Sequence, residues 1–503
     1  MAGALAQGTQ SPPSPAGGGQ PAGRPPRDPF AQTYATYCAG CHGSTLSGGR
    51  APTLLDDDWR FGGDDDSMRQ SIRGGRPGTE MPPFKDLLSD AEVAGVIAYI
   101  KTLAVQARTS AARAQRPAGQ TLQTERHAFT FEVVAEGLAA PWGLAFLPHG
   151  RLLVTERSGS LRAIVNGVLQ PTPIAGTPAV WTQQDGGLFD VEVDPQYARN
   201  RWIYLSYADA GANDSSMTVI VRGRIDQGRW IDQQVLYRAP ADGYWASNTH
   251  YGSRFIFDPQ GRLFYSIGDR GRDADAQDLS KPNGKVHRIN ADGSVPPDNP
   301  FVGRAGAQAS IWSYGHRNPQ GFAFHPVTGK LWETEHGPTG GDELNRIEPG
   351  HNYGWPLVHM GVTPPARGTS ASNAPVLPSP APSTPSSSSA ANMDPPIVHW
   401  TPAIAPSGTT FYTGTRFPKW RHHLFVTGLG GEALRRLETD GDRVVHEEIV
   451  FKGFGRVRDI VTGPDGYLYV ALSVPGVRLS DTTPGMIVRL VPADASAGKP
   501  AAR

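Results

Sequence analysis

Apolar residues between positions 89 and 103 recur at helical spacing. Ser89 and Glu92 stand three residues apart at the start of this stretch, as in the capping box that begins many helices. The apolar positions that follow are Val93, Val96, Ile97, Ile100 and Leu103. Their spacing predicts an amphipathic helix whose apolar face covers a buried group.

Beyond residue 125 the pattern changes to short extended runs, each preceded by a turn. Six similar phrases carry this pattern, and they begin at residues 147, 194, 258, 325, 415 and 462. Repeated strand-turn units predict a six-bladed β-propeller with four-stranded blades. A β-sandwich is the alternative fold, but sandwiches do not usually repeat a phrase.

The chain is expected to be multidomain, with a small all-α domain followed by the all-β propeller. Its 503 residues exceed the length of one ordinary domain. The predicted segments are a disordered Pro/Gly-rich N-terminus, the α domain, a linker, the propeller and a disordered tail, at residues 1–29, 30–106, 107–124, 125–493 and 494–503. A Ser/Pro-rich tract at about 364–396 indicates a surface insertion within the propeller.

The formal charges balance, with 47 Lys plus Arg against 47 Asp plus Glu. There is no basic stripe of the kind that binds nucleic acid, and no apolar run approaches the length of a transmembrane segment. The 60 glycines and 46 prolines suit an all-β chain rich in turns. We therefore expect neither a nucleic-acid partner nor a transmembrane segment.

The two cysteines of the chain lie in the sequence CAGCH, at residues 38–42. A zinc site would need two further ligands, and a thioredoxin-like redox pair would need a neighbouring βαβ pattern. The third possibility is covalent haem attachment, with Cys38 and Cys41 as thioethers and His42 as an iron ligand. Met81, flanked by prolines in the sequence EMPPF, is the candidate for the second axial ligand.

The sequences CAGCH and MPPF resemble those of class I cytochrome c domains. The resemblance implies a covalently bound haem c and assembly outside the cytoplasm, in a bacterium most often in the periplasm. The opening residues MAGALAQ do not show a complete signal peptide. A periplasmic or secreted location is therefore an expectation from the cytochrome resemblance.

Four polar stretches of the propeller lie close to predicted strand ends, where loops of several blades converge. They are SNTHYGSRF from 247, SYGHRNPQG from 313, ETEHGPTGGDELNRIEPGHNYGWP from 333 and GRVRDIV from 455. The sequences GHRNPQG, EHGP, GDELN and NYGWP resemble those of the soluble quinoprotein sugar dehydrogenases, the glucose/sorbosone dehydrogenase family. The resemblance spans roughly residues 130–492 and implies pyrroloquinoline quinone as cofactor.

This cofactor carries three carboxylates, which planar arginine forks can bind in pairs. By resemblance, Arg317 and Asn318 line the cofactor, and Arg456 and Arg458 hold its carboxylates and quinone edge. Gln184 is the candidate for a further cofactor contact.

The resemblance also implies Ca²⁺ held by the backbone carbonyls of Gly337 and Pro338. Oxidation of a sugar hydroxyl needs a base, and the unperturbed pKa of histidine suits that role. His250 occupies the position of the family's catalytic base. The secondary candidates are His316, His325 and His336.

Three positions depart from the family pattern. Asp185 stands where a glutamine is expected, with Gln184 displaced by one residue. Gly430 replaces a lysine, and Ala403 replaces a small hydroxyl residue. These departures leave the arginines and His250 in place.

The expected function is oxidation of an aldose or related sugar or alcohol by hydride transfer to the quinone. Electrons would pass to the fused haem c and on to an external acceptor, such as another cytochrome or an oxidase. A non-catalytic propeller that binds glycan or protein is the alternative. His250 together with the three arginines favours catalysis. No GxGxxG follows a predicted strand, so a nicotinamide enzyme has no support.

Overall fold

The computed structural model describes most of both predicted domains. The described residues are 29–42, 46, 51, 54–55, 59–77, 79, 81–111, 119–183, 185–247, 249–338, 340–361, 393–473 and 484–493. Nearly all of the predicted N-terminal segment, the Ser/Pro-rich insertion except its last few residues, the C-terminal tail and Gln184 lie outside these residues.

Within the described residues, the N-terminal domain contains four α-helices and the propeller contains one short α-helix. They are α1 (Pro29–Tyr37), α2 (Ala39–His42), α3 (Asp65–Gly74), α4 (Asp90–Ala111) and, in the propeller, α5 (Tyr197–Asn200). The capping box before α4 is confirmed, because the Ser89 N–H donates to Glu92 Oε2 over 2.8 Å and the Glu92 N–H donates to Ser89 Oγ over 3.3 Å. The apolar face of α4 is buried in the core of the domain, as its spacing predicts.

The first three propeller sheets in chain order each have four antiparallel strands. Their strands are β3 (Pro141–Phe146), β4 (Leu152–Glu156), β5 (Leu161–Val165), β6 (Val168–Leu169); β7 (Leu188–Val193), β8 (Ile203–Ala210), β9 (Ser216–Asp226), β10 (Arg229–Tyr237); and β11 (Phe255–Phe257), β12 (Arg262–Ile267), β13 (Lys285–Asn290), β14 (Ile311–Tyr314).

Two further four-stranded sheets and one five-stranded sheet complete the domain within the described residues. Their strands are β15 (Pro319–Phe324), β16 (Leu331–Glu335), β17 (Asp342–Ile347), β18 (Val398–Trp400); β19 (Pro406–Phe411), β20 (Leu424–Gly428), β21 (Ala433–Asp440), β22 (Arg443–Lys452); and β1 (Thr121–Gln123), β2 (Ala128–Ala139), β23 (Arg456–Thr462), β24 (Leu468–Ser473), β25 (Pro484–Pro492).

The six sheets close into a ring, which confirms the six-bladed propeller. The first strand of each blade contacts the first strand of the next, in the order β3, β7, β11, β15, β19, β23 and back to β3. The last blade takes its outer strand from the other end of the domain, because β2 pairs with β25 from Phe129↔Pro492 to Ala139↔Pro484. Each of the six repeated phrases forms the turn into the second strand of a blade and that strand itself.

The linker between the domains differs from the predicted 107–124. Helix α4 continues to Ala111 and strand β1 already begins at Thr121. The last turns of α4 and the pairing of β1 with β2 thus both fall within the predicted linker. Residues 112–118 between them lie outside the described part of the chain.

Strand direction brings the polar loops of several blades to one end of the ring. The pairs Pro319↔Glu335, Pro406↔Gly428 and Arg456↔Ser473 each join the start of a first strand to the end of a second strand. Loops that enter first strands and loops that leave second strands therefore share one face, which we call the mouth. Of the predicted site residues, His250, Arg317 and Arg456 lie at this face.

A buried ion cluster holds the blades together at the centre of the ring. Arg254 Nη1 lies 3.2 Å from Asp190 Oδ1 and 3.0 Å from Asp459 Oδ1, so a single guanidinium joins three blades. The Arg254 guanidinium also lies 4.4 Å above the Trp142 ring of a fourth blade. A buried charge is tolerated when it is paired in this way, and the cluster connects four blades through one guanidinium.

Candidate active site

The residues of CAGCH form one turn of helix at the junction of α1 and α2. The Cys38 N–H donates to Tyr34 O over 2.9 Å, and the His42 N–H donates to Cys38 O over 2.9 Å. Cys38, Cys41 and His42 are all half-buried. Burial, with a smaller contribution from Cys41, raises the pKa of the Cys38 thiol to about 12. Two thiols and an imidazole on one helical turn are the donor set that covalent haem attachment needs.

Met81 lies on a loop packed against the end of α3. Its carbonyl accepts from the Arg76 N–H over 3.1 Å, and its N–H donates to Thr79 Oγ1 over 3.2 Å. A Cβ on Gly75 would lie 2.8 Å from Met81 O, so the loop requires glycine at this close approach. Met81 and Cys38 pack against the same buried core of the domain.

His250 and Asp269 form a buried pair at the mouth. His250 Nδ1 lies 2.6 Å from Asp269 Oδ1, and His250 has a left-handed backbone with φ of 51°. The Trp355 indole N–H donates to Asp269 Oδ2 over 2.8 Å, and the Gly271 N–H donates to Oδ1 over 2.8 Å. The Asp269 carboxylate is therefore fixed from both sides and orients the imidazole.

The pKa of Asp269 is held below its usual value. Burial alone would raise it, but the charge and hydrogen bond of His250 and the charge of Arg317 outweigh burial. An ionised Asp269 accepts the proton on His250 Nδ1, which makes Nε2 the basic nitrogen of the ring.

Arg317 and Asn318 enter strand β15 beside this pair. Glu335 Oε2 accepts the Arg317 N–H over 2.6 Å and the Asn318 N–H over 3.3 Å. Asn318 Oδ1 accepts the Gly252 N–H over 3.0 Å, which ties β15 to the loop that carries His250. The Arg317 guanidinium lies 5.2 Å from the centre of the Trp355 ring.

Arg456 and Arg458 lie on the innermost strand of the last blade, β23. Burial lowers the pKa of Arg456 to about 10. Burial also lowers the pKa of Arg458 to about 9, and the positive charges of Arg456, Arg254 and Arg157 lower it further. The mouth thus concentrates guanidinium groups in a desolvated place, which is the electrostatic environment that a polyanionic ligand favours.

Arg458 reaches polar neighbours only through long contacts. Its Nη1 lies 3.5 Å from Gln320 Oε1 and 3.4 Å from Ser407 Oγ. Among the residues that the structure describes, it forms no ion pair with a carboxylate. Gln320 Nε2 in turn lies 3.3 Å from Asn318 Oδ1, so polar side chains connect Arg458 to the His250 side of the mouth.

Gly337 and Pro338 form the loop between β16 and β17. Asp342 holds this loop, because its Oδ1 accepts the Gly337 N–H over 2.9 Å and its Oδ2 accepts the Ile404 and Ala405 N–H groups over 2.7 Å each. Burial raises the pKa of Asp342 to about 6 despite these hydrogen bonds. The loop borders a small cavity, also lined by Arg317 and Trp355 among others.

Each of the secondary histidine candidates is held by contacts with neighbouring residues. His336 Nε2 lies 2.7 Å from Pro406 O, and burial lowers the pKa of His336 to about 3. His325 lies beyond the opposite end of β15, where its Nδ1 accepts the Val327 N–H over 3.2 Å. His316 pairs with Glu335 at 3.0 Å.

Of the departures from the family pattern, Gly430 is the clearest in the structure. Its N–H donates to Ile404 O over 3.0 Å, and a Cβ added there would lie 3.5 Å from Ala405 Cβ. This is ordinary van der Waals contact, so the backbone does not require glycine here.

Sequence reasoning missed Asp269, Trp355, Gln320 and Asp342. Asp269 follows the second strand of its blade, as Glu335 ends the second strand of the next. Polar residues at or just after the end of the repeated strand were the available signal. Trp355 belongs to the sequence NYGWP, but nothing local indicates its contact with Asp269, 86 residues away.

In the described part of the chain, no helix is long and apolar enough to cross a membrane. The Glucose / Sorbosone dehydrogenase family model matches residues 138–480. The model for Cytochrome C oxidase, cbb3-type, subunit III matches residues 26–100.

Several known proteins are similar to this chain. Aldose sugar dehydrogenase YliI of Escherichia coli is 37% identical over 372 residues, covering 72% of this chain and 92% of that protein. The apo-form structure of the soluble E. coli aldose sugar dehydrogenase matches with a TM-score of 0.63 and 36% identity, covering 72% of this chain and 99% of that chain. The PQQ-bound aldose sugar dehydrogenase from Streptomyces coelicolor matches with a TM-score of 0.56 and 26% identity, covering 72% of this chain and 98% of that chain. The chain therefore belongs to the glucose/sorbosone dehydrogenase family and carries a cytochrome c domain ahead of its propeller.

Proposed function

We propose that the propeller oxidises an aldose or related sugar or alcohol with pyrroloquinoline quinone, and that the electrons leave through haem c to an external acceptor. The observation that carries the proposal is the His250–Asp269 pair in a mouth that also holds Arg458 without a carboxylate partner among the described residues. A base beside a site for an anionic cofactor is the arrangement that hydride abstraction from an alcohol requires.

The mouth residues fit the quinone. Arg456 and Arg458 would bind its carboxylates, and Arg317 and Asn318 would position it from the neighbouring blade. Gln184 remains a proposed contact. When bound, pyrroloquinoline quinone supplies a two-electron acceptor for the hydride of the substrate.

His250 is the proposed catalytic base. Asp269 keeps the Nδ1 proton in place, so His250 Nε2 would take the proton of the substrate hydroxyl as hydride departs. The 2.6 Å contact between the two side chains then stabilises the imidazolium that this transfer creates. The same contact limits rotation of the imidazole ring, so Nε2 would keep one orientation toward the substrate hydroxyl.

Gly337 and Pro338 are proposed to hold Ca²⁺ through their backbone carbonyls. The hydrogen bonds of Asp342 fix the loop, which would keep those oxygens in place. When bound, the ion would polarise a carbonyl of the cofactor.

Cys38, Cys41, His42 and Met81 are proposed to hold haem c covalently, with His42 and Met81 on the iron. When bound, haem c supplies a one-electron carrier between the propeller and the external acceptor. The location that we propose is the periplasm or the cell exterior, because haem c is attached outside the cytoplasm.

The decisive experiment uses the full-length protein loaded with quinone and Ca²⁺. Sugars and simple alcohols are added anaerobically, and haem reduction is followed by visible absorption. We expect an aldose to reduce the haem at a rate independent of protein concentration, because both domains share one chain. His250→Ala is the paired variant and His149→Ala, at an exposed histidine, the control. Absence of haem reduction with every substrate would favour the binding-module alternative.

A further inference from the structure

We propose that His316, Glu333 and Glu335 form a second cation site, for a first-row divalent metal ion such as Zn²⁺ or Mn²⁺. The site lies inside the blade that carries β16, behind the mouth. It uses side chains, whereas the calcium proposed above would use the carbonyls of Gly337 and Pro338. It does not depend on the proposed enzymatic activity.

The three side chains come from two neighbouring strands of one blade: His316 lies just before β15, and Glu333 and Glu335 lie on β16. One potential ligand atom from each of His316, Glu333 and Glu335 lies within 4.8 Å of the others. Glu333 and His316 are fully buried, and Glu335 is 4% exposed. Glu333 and Glu335 are two residues apart on β16, so the strand directs both carboxylates to one face.

Two buried oxygens of the cluster have no partner. Among the described residues, neither Glu333 Oε1 nor Asn345 Oδ1 has a hydrogen-bond partner, although both side chains are fully buried. Each such orphan is unfavourable, because a buried polar atom without a partner keeps its full desolvation cost. An ion at the centre of the cluster would give Glu333 Oε1 a partner.

The charge of the cluster also favours a bound cation. The Asn345 amide donates to Glu333 Oε2 over 3.2 Å, to Glu335 Oε1 over 3.2 Å and to Glu343 Oε2 over 3.4 Å. Within the described chain, no Lys or Arg forms an ion pair with any of these three carboxylates. A divalent ion at this place would supply the positive charge that lets these buried carboxylates ionise together.

The donor set selects the kind of ion. An imidazole with two carboxylates suits Zn²⁺ or Mn²⁺, whereas Mg²⁺ and Ca²⁺ prefer oxygen ligands alone. His316 Nε2 lies 2.8 Å from Ser313 Oγ, a partner of the kind that orients a metal-bound histidine. His316 Nδ1 lies 3.0 Å from Glu335 Oε1, and the ion would take the place of the proton between them.

The ion would also affect the mouth, through the backbone hydrogen bonds that Glu335 accepts. Glu335 Oε2 accepts the N–H groups of Arg317 and Asn318, so a metal on Oε1 would fix the carboxylate that positions both residues. The site is therefore expected to stabilise the fold of the mouth even when no cofactor is bound.

The test measures metal content and does not depend on activity. Full-length protein is stripped with EDTA, incubated with one equivalent of Zn²⁺ or Mn²⁺ under excess Ca²⁺, desalted, and analysed by mass spectrometry of the elements. We expect about one ion retained by the wild type. Glu333→Gln should bind at least about tenfold more weakly, because a ligand charge is removed. Glu348→Gln, at a carboxylate that directly follows β17 and lies outside the cluster, is the matched control.

X-ray absorption at the zinc edge of the wild-type protein provides an independent reading if Glu333→Gln fails to fold. We expect one imidazole nitrogen at about 2.0–2.1 Å together with carboxylate oxygens at about 2.0–2.2 Å. Retention of neither ion by the wild type, full retention by Glu333→Gln, or a zinc spectrum without imidazole scattering would each overturn the proposal.

Discussion

His250 Nδ1 lies 2.6 Å from Asp269 Oδ1, and the two side chains come from different loops of the same blade. This contact sets the tautomer of the imidazole and the orientation of its ring. A third group, the Trp355 indole, donates to the other carboxylate oxygen over 2.8 Å. The pair therefore has the geometry of a base and its orienting carboxylate.

Asp269→Asn should preserve the fold of the mouth and lower kcat by about 10²- to 10⁴-fold, because the amide no longer favours a proton on His250 Nδ1. The measurement is dye-linked sugar oxidation at saturating quinone. His250→Ala should fall in the same range, and the double variant should be little worse than either single variant. Additive losses would show that the two residues do not act as a unit.

Arg458→Ala should weaken quinone binding by roughly 10- to 100-fold, since a charge-assisted hydrogen bond contributes about 1.5–3 kcal/mol. Titration of the apoprotein with quinone measures the Kd. Excess quinone should restore most of the turnover. Arg443→Ala is the control, because the Arg443 side chain is 78% exposed. An unchanged Kd in Arg458→Ala would remove this residue from the cofactor site.

Met81→Ala should keep the haem attached and lower its reduction potential, since methionine ligation raises the potential of cytochrome c iron. Acid-acetone extraction checks covalent attachment, and redox titration checks the potential. Met68→Leu, at a buried position of α3, controls for packing within the same domain. Release of colour from the wild-type protein into the solvent would contradict the thioether assignment.

Because the pKa of His287 is lowered in the folded state, the free energy of unfolding should fall in acid. Burial lowers its folded-state pKa to about 3, whereas the unfolded side chain titrates near its usual value. Between pH 6.5 and about 3 the unfolded chain binds a proton that the folded chain does not, so the free energy of unfolding falls as pH falls, by about 1.4 kcal/mol per pH unit.

His287→Gln lacks this titration, so its destabilisation relative to the wild type should shrink as pH is lowered from 7 to 5. Chemical unfolding of both proteins across that range provides the measurement. A stability difference that stays constant with pH would contradict the assignment.

Local signals in the sequence determined much of this protein. The capping box and apolar spacing of α4 lie within one short segment, and each repeated phrase specifies its own turn and strand. Such features depend on residues only a few positions away in the sequence, so they can be predicted without knowledge of the fold. Family motifs named His250, Arg317, Asn318, Arg456 and Arg458, because they preserve residue types in order along the chain.

Only the tertiary structure decided which of these side chains meet. Arg458 approaches Gln320 across 138 residues, and the Trp355 indole reaches Asp269 across 86. The buried group of His316, Glu333 and Glu335 likewise emerges only when β15 and β16 pair. These contacts depend on closure of the ring, for which strand β2 must pair with β25 from the far end of the domain. Local periodicity carries no information about such distant pairings, because they are stabilised by packing between blades.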